Sequence, residues 1–336
     1  MLSQIINSLV PLFALILLGA ALALGGFLKE EFLKQLNRLI YFISLPALII
    51  GKLSVATFQG ESALRVFLAI FLGCMAALVL SYGLCRLLRL PWSGYGTFAQ
   101  AVLRGNLALV GLPVLVYDLR QQNVPEAEEI ISMALLALGM IMVLYNVTSV
   151  ILLIGSQQRL GGAKAPGEDA PRSPEHAATP SLGKAHLFRR MTKMVVTNPL
   201  IIAAVIGSLL SLFTVPMPEF ALSALDLAGQ IAVPAALISI GARLGNTRIT
   251  GRVFYPLAAA LMKVAVVPVL TYFAARLLGL SEQEMMVVMI FGACPTAVAS
   301  YIMACELRGD PELAGGAIAL STLLSGISLA VAMVLF

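Results

Sequence analysis

Charge is scarce in this chain. Asp, Glu, Lys and Arg make up 12% of its 336 residues, where ordinary soluble domains carry about 25%. Set beside 60% hydrophobic residues and a mean hydropathy of +0.95, that scarcity excludes a soluble globular domain and leaves a polytopic membrane protein. Histidine is almost missing. His176 and His186 both fall in the one long polar stretch, which removes His-centred metal or triad chemistry from the apolar segments. Four cysteines, Cys74, Cys85, Cys294 and Cys305, form no CxxC or Cys/His cluster and read as small buried residues. No cofactor and no metal is implied. The net charge of +5 is small for the length, and the basic residues gather in loops, so nothing resembles a nucleic-acid footprint. A basic leader is lacking too. The first lysine, Lys29, follows the first apolar run, which therefore reads as a mature span and not as a signal peptide.

What is present is apolar length. A span needs about 20 apolar residues, and ten stretches qualify: 4–27, 34–54, 63–87, 94–118, 129–154, 196–215, 221–244, 253–277, 284–306 and 314–335. Between the fifth and sixth lies a segment rich in Gly, Pro, Ser and charge, expected to be a mobile linker. The chain thus divides into a first five-helix unit (1–154), a linker (155–195) and a second five-helix unit (196–336). With the N-terminus outside, 16 Lys and Arg residues fall on the cytoplasmic side and 4 on the other, and Arg104 and Lys263 sit inside spans. This asymmetry places both termini outside and the linker in the cytoplasm.

The halves echo each other. "LNRLIYFISLPALII" aligns with "LDLAGQIAVPAALIS", which sets Pro46 against Pro234; "RVF" at 65–67 matches "RVF" at 252–254; and "RLLRL" at 86–90 matches "RLLGL" at 276–280. Because each half has an odd number of spans, the second starts on the opposite side of the membrane. The repeat is therefore inverted, an arrangement of alternating-access transporters whose site lies at the repeat interface.

At the same offset Gly105 falls on Pro295, so the two spans with the most conspicuous interruptions, four and nine, hold equivalent places. A broken helix in hydrocarbon leaves backbone groups unpaired at several kcal/mol each, so breaks persist where protein, water or a ligand satisfies them. Two crossing breaks would aim the N-termini of their second halves at one point, where an anion binds readily. Gly105 and Asn106 supply the turn in span four, Leu107 follows it, and Pro295 opens the second half of span nine. Asn106, Thr296 and Ser300 are the nearby hydrogen-bonding side chains. Arg104 reads either as a countercharge for substrate or as a neutraliser of carbonyl ends. Lys263 pairs with an anion or with Asp226, or snorkels. Asp226 and Gln230 in span seven suit coupling or gating, and Asn146 in span five is helix–helix glue or a ligand contact.

These residues resemble a known family. "LRGNLALVGLPVLVYD", "LDLAGQIAVPAALISIGARL" and "CPTAVASYIMACELRGDPELAGGAIALSTLLSGISL" are similar to span four, span seven and spans nine to ten of the auxin efflux carrier family, which includes plant auxin exporters and bacterial malonate or malate permease-like proteins. The resemblance implies an all-α fold of ten transmembrane helices in two inverted five-helix repeats, with helices four and nine broken and crossing, and an organic carboxylate as substrate. It implies that Asn106 and Pro295 mark the two crossovers and that Pro46 and Pro234 kink the helices packed against them. Plant exporters read Asn-Pro-Asn where this chain has Arg104-Gly105-Asn106-Leu107, which points away from indole acids and towards dicarboxylates.

The expected function is a secondary carrier of small organic anions, dicarboxylates or auxin-like acids, in a bacterial inner membrane, with the lipid bilayer as surroundings and a homodimer compatible. The alternative is a sodium-coupled organic-anion symporter of the bile-acid transporter type, which would want acidic ligands near the second break, where none stands before Glu306. An intramembrane enzyme would need paired Asp residues, a metal site or an activated nucleophile. The spans contain no such set.

Overall fold

A computed structural model of the chain describes residues 2–55, 60–122, 124–158, 197–246, 253–307 and 309–335. Both histidines and nearly all of the expected linker lie outside these ranges. Among the described residues the chain is all-helical, with no strand. In chain order the helices are α1 (Leu2–Leu24), α2 (Glu30–Leu39), α3 (Leu45–Val55), α4 (Gly60–Leu87), α5 (Trp92–Leu103), α6 (Leu112–Gln121), α7 (Ala127–Gln158) and α8 (Pro199–Leu212). Then follow α9 (Glu219–Gln230), α10 (Ala232–Asn246), α11 (Phe254–Leu261), α12 (Val267–Leu277), α13 (Glu282–Ala293), α14 (Ala299–Glu306) and α15 (Pro311–Leu335). α7 runs to Gln158, four residues past the expected end of span five.

Six helical stretches are long and apolar enough to cross a bilayer: Glu30–Val55, Gly60–Leu87, Ala127–Ser156, Glu219–Ala242, Phe254–Leu277 and Pro311–Leu335. Shorter apolar helices are Ala14–Leu24 and Pro199–Leu212. Their outer faces carry exposed apolar side chains such as Val79, Phe220, Phe273 and Ile327, a surface that only a lipid-like surrounding would keep from aggregating.

The helical chain widens locally at three places, and each widening has a proline just beyond it. π-helical turns occupy Ile40–Ser44, Leu107–Gly111 and Met262–Val266, ahead of Pro46, Pro113 and Pro268. A proline inside a helix removes one N–H and presses its ring on the carbonyl four residues back. Those carbonyls belong to Phe42, Leu109 and Val264, all inside the widened turns, so the extra residue relieves the clash without ending the helix. The Val264 carbonyl gains a new partner: Ser328 Oγ donates to it at 2.7 Å from α15. Pro234 is accommodated differently, by a turn at Ile231 that separates α9 from α10.

Packing follows small residues. α1 lies along α10, α8 along α3, α4 along α12, and α11 along α15. Gly19 and Gly241 make the first contact reciprocal, since a Cβ on Gly19 would overlap the Ile238 carbonyl and one on Gly241 the Ile16 carbonyl. Close backbone approach of this kind is how helices associate where lipid removes the hydrophobic driving force. Two charged links also join distant parts of the chain: Arg65 reaches Glu284 at 2.8 Å, and Lys52 reaches Glu128 at 2.8 Å.

Candidate functional site

The helix begun by α5 stops at Leu103, and residues 104–106 are extended before the π-turn and α6 resume. α13 likewise stops at Ala293, and α14 begins only at Ala299. The two gaps meet. Gly105 and Thr296 form an isolated antiparallel bridge, in which Asn106 N–H donates to the Pro295 carbonyl at 2.8 Å and Ala297 N–H to the Arg104 carbonyl at 2.9 Å. Each gap therefore satisfies part of the other's open backbone, as burial demands.

Side chains complete the accounting. Thr296 Oγ1 donates to the Ala101 carbonyl at 2.8 Å, one of the acceptors left open at the end of α5. Thr296 N–H donates to Ser321 Oγ of α15 at 3.0 Å. Gln100 Nε2 donates to the Ser300 carbonyl at 3.0 Å, and the Cys74 thiol faces the Leu103 carbonyl at 3.8 Å. What is left open lies on the other side of the break. No side chain caps the first turn at Leu107, and none caps the turn that begins α14. Ala108, Leu109, Val298 and Ala299 are only part-buried, so both uncapped N-termini border space that is not filled by protein.

Gly105 is required for room and not for a special backbone angle, because its φ is not positive. A Cβ there would lie 3.0 Å from Leu107 Cδ2, 3.2 Å from Lys263 Nζ and 3.5 Å from Tyr145 Oη. Lys263 projects from the widened turn Met262–Val266, is fully buried, and its Nζ has no hydrogen-bond partner among the described residues. Arg104 is 7% exposed, and its guanidinium donates to Met303 Sδ at 2.9 Å. Sulfur is a weak acceptor for so strong a donor. No ion pair to either cation exists among the described residues. Two basic side chains thus flank the bridge without a described carboxylate between them.

The arrangement brings together Arg104, Gly105, Asn106, Leu107, Pro295, Thr296, Ser300 and Lys263. Ser300 Oγ and Gln100 Oε1 are buried there without partners among the described residues. Pro295 does not open the second half-helix as the sequence suggests. It sits in the extended gap, and its carbonyl serves the bridge. Asp226 and Gln230 stand apart, exposed on α9 and bonded to each other at 2.6 Å, so of the alternatives for Lys263 the pairing with Asp226 is not formed. Asn146 is buried on α7 and shares no described hydrogen bond with the bridge. Sequence reading passed over Gln100, Tyr145, Cys74, Ser321 and Ser328. The one available signal was polarity at helical spacing from the break, as with Gln100 four residues before Arg104.

Long apolar helices and an apolar outer surface define a multi-pass membrane protein. The chain matches the family described as membrane transport protein over residues 4–333. It belongs to that family, the auxin efflux carrier group of membrane transporters. It is also similar to an uncharacterized transporter of Methanocaldococcus jannaschii, with 22% identity over 317 residues that span 93% of this chain and 92% of the relative.

Proposed function

We propose that the protein is a secondary carrier of small organic anions, dicarboxylates or related carboxylic acids, bound where residues 104–107 cross residues 295–300 and moved by alternating access. The carrying observation is electrostatic: the Arg104 guanidinium is buried beside two uncapped helix N-termini, with the basic side chain of Lys263 next to the same bridge and no described carboxylate among them. Such a site favours an anion whose oxygens take the open N–H groups and the guanidinium. Asn106, Thr296 and Ser300 line the approach to it.

Ten crossings in two inverted five-helix repeats (1–154 and 196–336, joined by 155–195) give this site its place at the repeat interface. In this reading α5 with α6, and α13 with α14, are the fourth and ninth spans. Contacts between distant residues support the alternation. Arg65–Glu284 and Lys52–Glu128 join residues it assigns to one face. Asp310 N–H to Thr97 Oγ1 at 2.9 Å and Ser239 Oγ to Asn37 Oδ1 at 2.9 Å join residues it assigns to the other. The packing of α1 on α10 and of α8 on α3 supports the repeat, since exchanging the halves turns one contact into the other. Both termini lie outside a bacterial inner membrane, and the unit containing the crossing moves against the rest in an elevator-like step.

The test is uptake of radiolabelled malonate, malate, succinate and indole-3-acetate into proteoliposomes, with and without pH and sodium gradients, for the wild type, Arg104→Ala and Asn106→Ala. Uptake of at least one acid that both substitutions reduce is the expected result. Failure of the folded wild type to bind or move any of the four would overturn the reading.

A further inference from the structure

Lys263 poses a problem that anion binding alone does not resolve. Its Nζ is fully buried, has no hydrogen-bond partner among the described residues, and points at the Gly105–Thr296 bridge from the widened turn Met262–Val266. The groups that face it are few. Cys74 comes from α4 and Cys294 from the end of α13, while the Tyr145 hydroxyl of α7 sits against the Gly105 backbone and Cys74. α15 presents serines, with Ser328 engaged by the Val264 carbonyl and Ser321 by the Thr296 N–H. Thiols and a phenol are poor company for a permanent cation.

The proline explains why the lysine is held there. Widening ahead of Pro268 rotates the turn by an extra residue, and Ser328 fixes the carbonyl that the widening releases. The ammonium is thereby kept from snorkelling, and it remains within contact distance of the place where the two helix breaks meet. Arg104, one residue before Gly105 on an extended backbone, flanks the bridge from another side and keeps its charge in any state.

Building on the organic-anion reading, we infer that the site takes up a proton together with its anion, and that Lys263 Nζ holds this proton in the loaded state. In the empty site an ammonium there would stand uncompensated in surroundings that solvate charge poorly. Beside a bound carboxylate the same ammonium is half of an ion pair. Anion and proton therefore promote each other's binding, and by linkage each shifts the other's affinity by the same factor. The proton comes from solvent and returns to it when the anion leaves, so a monocarboxylate is carried without net charge and a dicarboxylate with one negative charge.

The full-length protein, purified in detergent, is titrated with malonate, malate, succinate and indole-3-acetate at about pH 8, where the carboxyl groups of the free acids are ionised. Calorimetry in buffers of different ionisation enthalpy counts the protons. About one proton taken up per anion is expected, with affinity strengthening up to about tenfold for each pH unit lowered. Lys263→Arg carries a charge that does not titrate, so proton uptake is lost while binding survives; Lys263→Met loses uptake and weakens binding. Anion binding by the wild type with no proton uptake would overturn the inference and leave the anion site standing. Uptake that persists in either variant would do the same, assigning the proton to another group. No binding of any of the four acids would overturn both.

Discussion

Gly111→Ala tests whether the turn Leu107–Gly111 packs against the end of α13 as described. Gly111 is buried, and a Cβ placed on it would lie 2.7 Å from Cys294 Sγ and 3.1 Å from Phe291 Cδ1. Heavy atoms in good contact stand about 3.5–4.0 Å apart, so the added methyl overlaps the sulfur by roughly 1 Å. Neither neighbour has space to retreat, since Cys294 is 0% and Phe291 1% exposed. Overpacking of this kind costs about 1–3 kcal/mol. At about 2 °C per kcal/mol for a chain of this size, the unfolding midpoint in detergent falls by roughly 2–6 °C at fixed scan rate. Cys294→Ala alone is expected to cost about 1 kcal/mol, through lost contacts and a small cavity. Together the two substitutions compensate, because removing the sulfur makes room for the methyl, and the double variant recovers more than half of the Gly111→Ala loss. Losses that add within about 0.5 kcal/mol would show that the two residues are not in contact, and the crossing would then be misplaced.

Three further outcomes follow from named contacts. Ser328→Ala strands the Val264 carbonyl that Pro268 released and lowers stability by about 1–3 kcal/mol, read as a lower thermal midpoint; Ser328→Thr restores most of it. Asn198→Ala removes the cap whose Oδ1 accepts from Leu200 N–H at 2.9 Å and Ile201 N–H at 3.3 Å, at a cost of about 1 kcal/mol in the same assay. Thr296→Val leaves the Ala101 carbonyl open at the crossing. It reduces both stability, by about 1–3 kcal/mol, and acid uptake in proteoliposomes, whereas Asn198→Ala alters stability alone.

The gaps at residues 104–106 and 294–298 fall where the sequence concentrates residues that hydrocarbon normally excludes. Arg104, Gly105 and Asn106 lie inside an apolar run, as do Pro295 and Thr296. Which groups close the breaks was not legible. Ser321 and Gln100 belong to helices whose register against the gap is set by packing alone, and Tyr145 reaches Gly105 across 40 residues of chain. Prolines marked disturbance without its form. Pro46, Pro113 and Pro268 widen their helices, while Pro234 follows a turn, and the difference depends on partners such as Ser328 that lie far along the chain. Asp226 and Gln230 stood out as polar residues in a span, yet their side chains meet each other on an exposed face. Polarity in a span shows that a partner is needed and not where it lies.

Equilibrium binding of the four radiolabelled acids to purified Arg104→Gln, compared with the wild type, tests the central claim most directly. If the guanidinium beside the Gly105–Thr296 bridge is a ligand of the substrate, the acid that binds the wild type binds the variant about 30-fold more weakly or worse, as expected when one partner of a buried charge pair is removed. Equal affinity in a variant that unfolds at the wild-type temperature would contradict it, and the anion site would have to be sought away from the crossing.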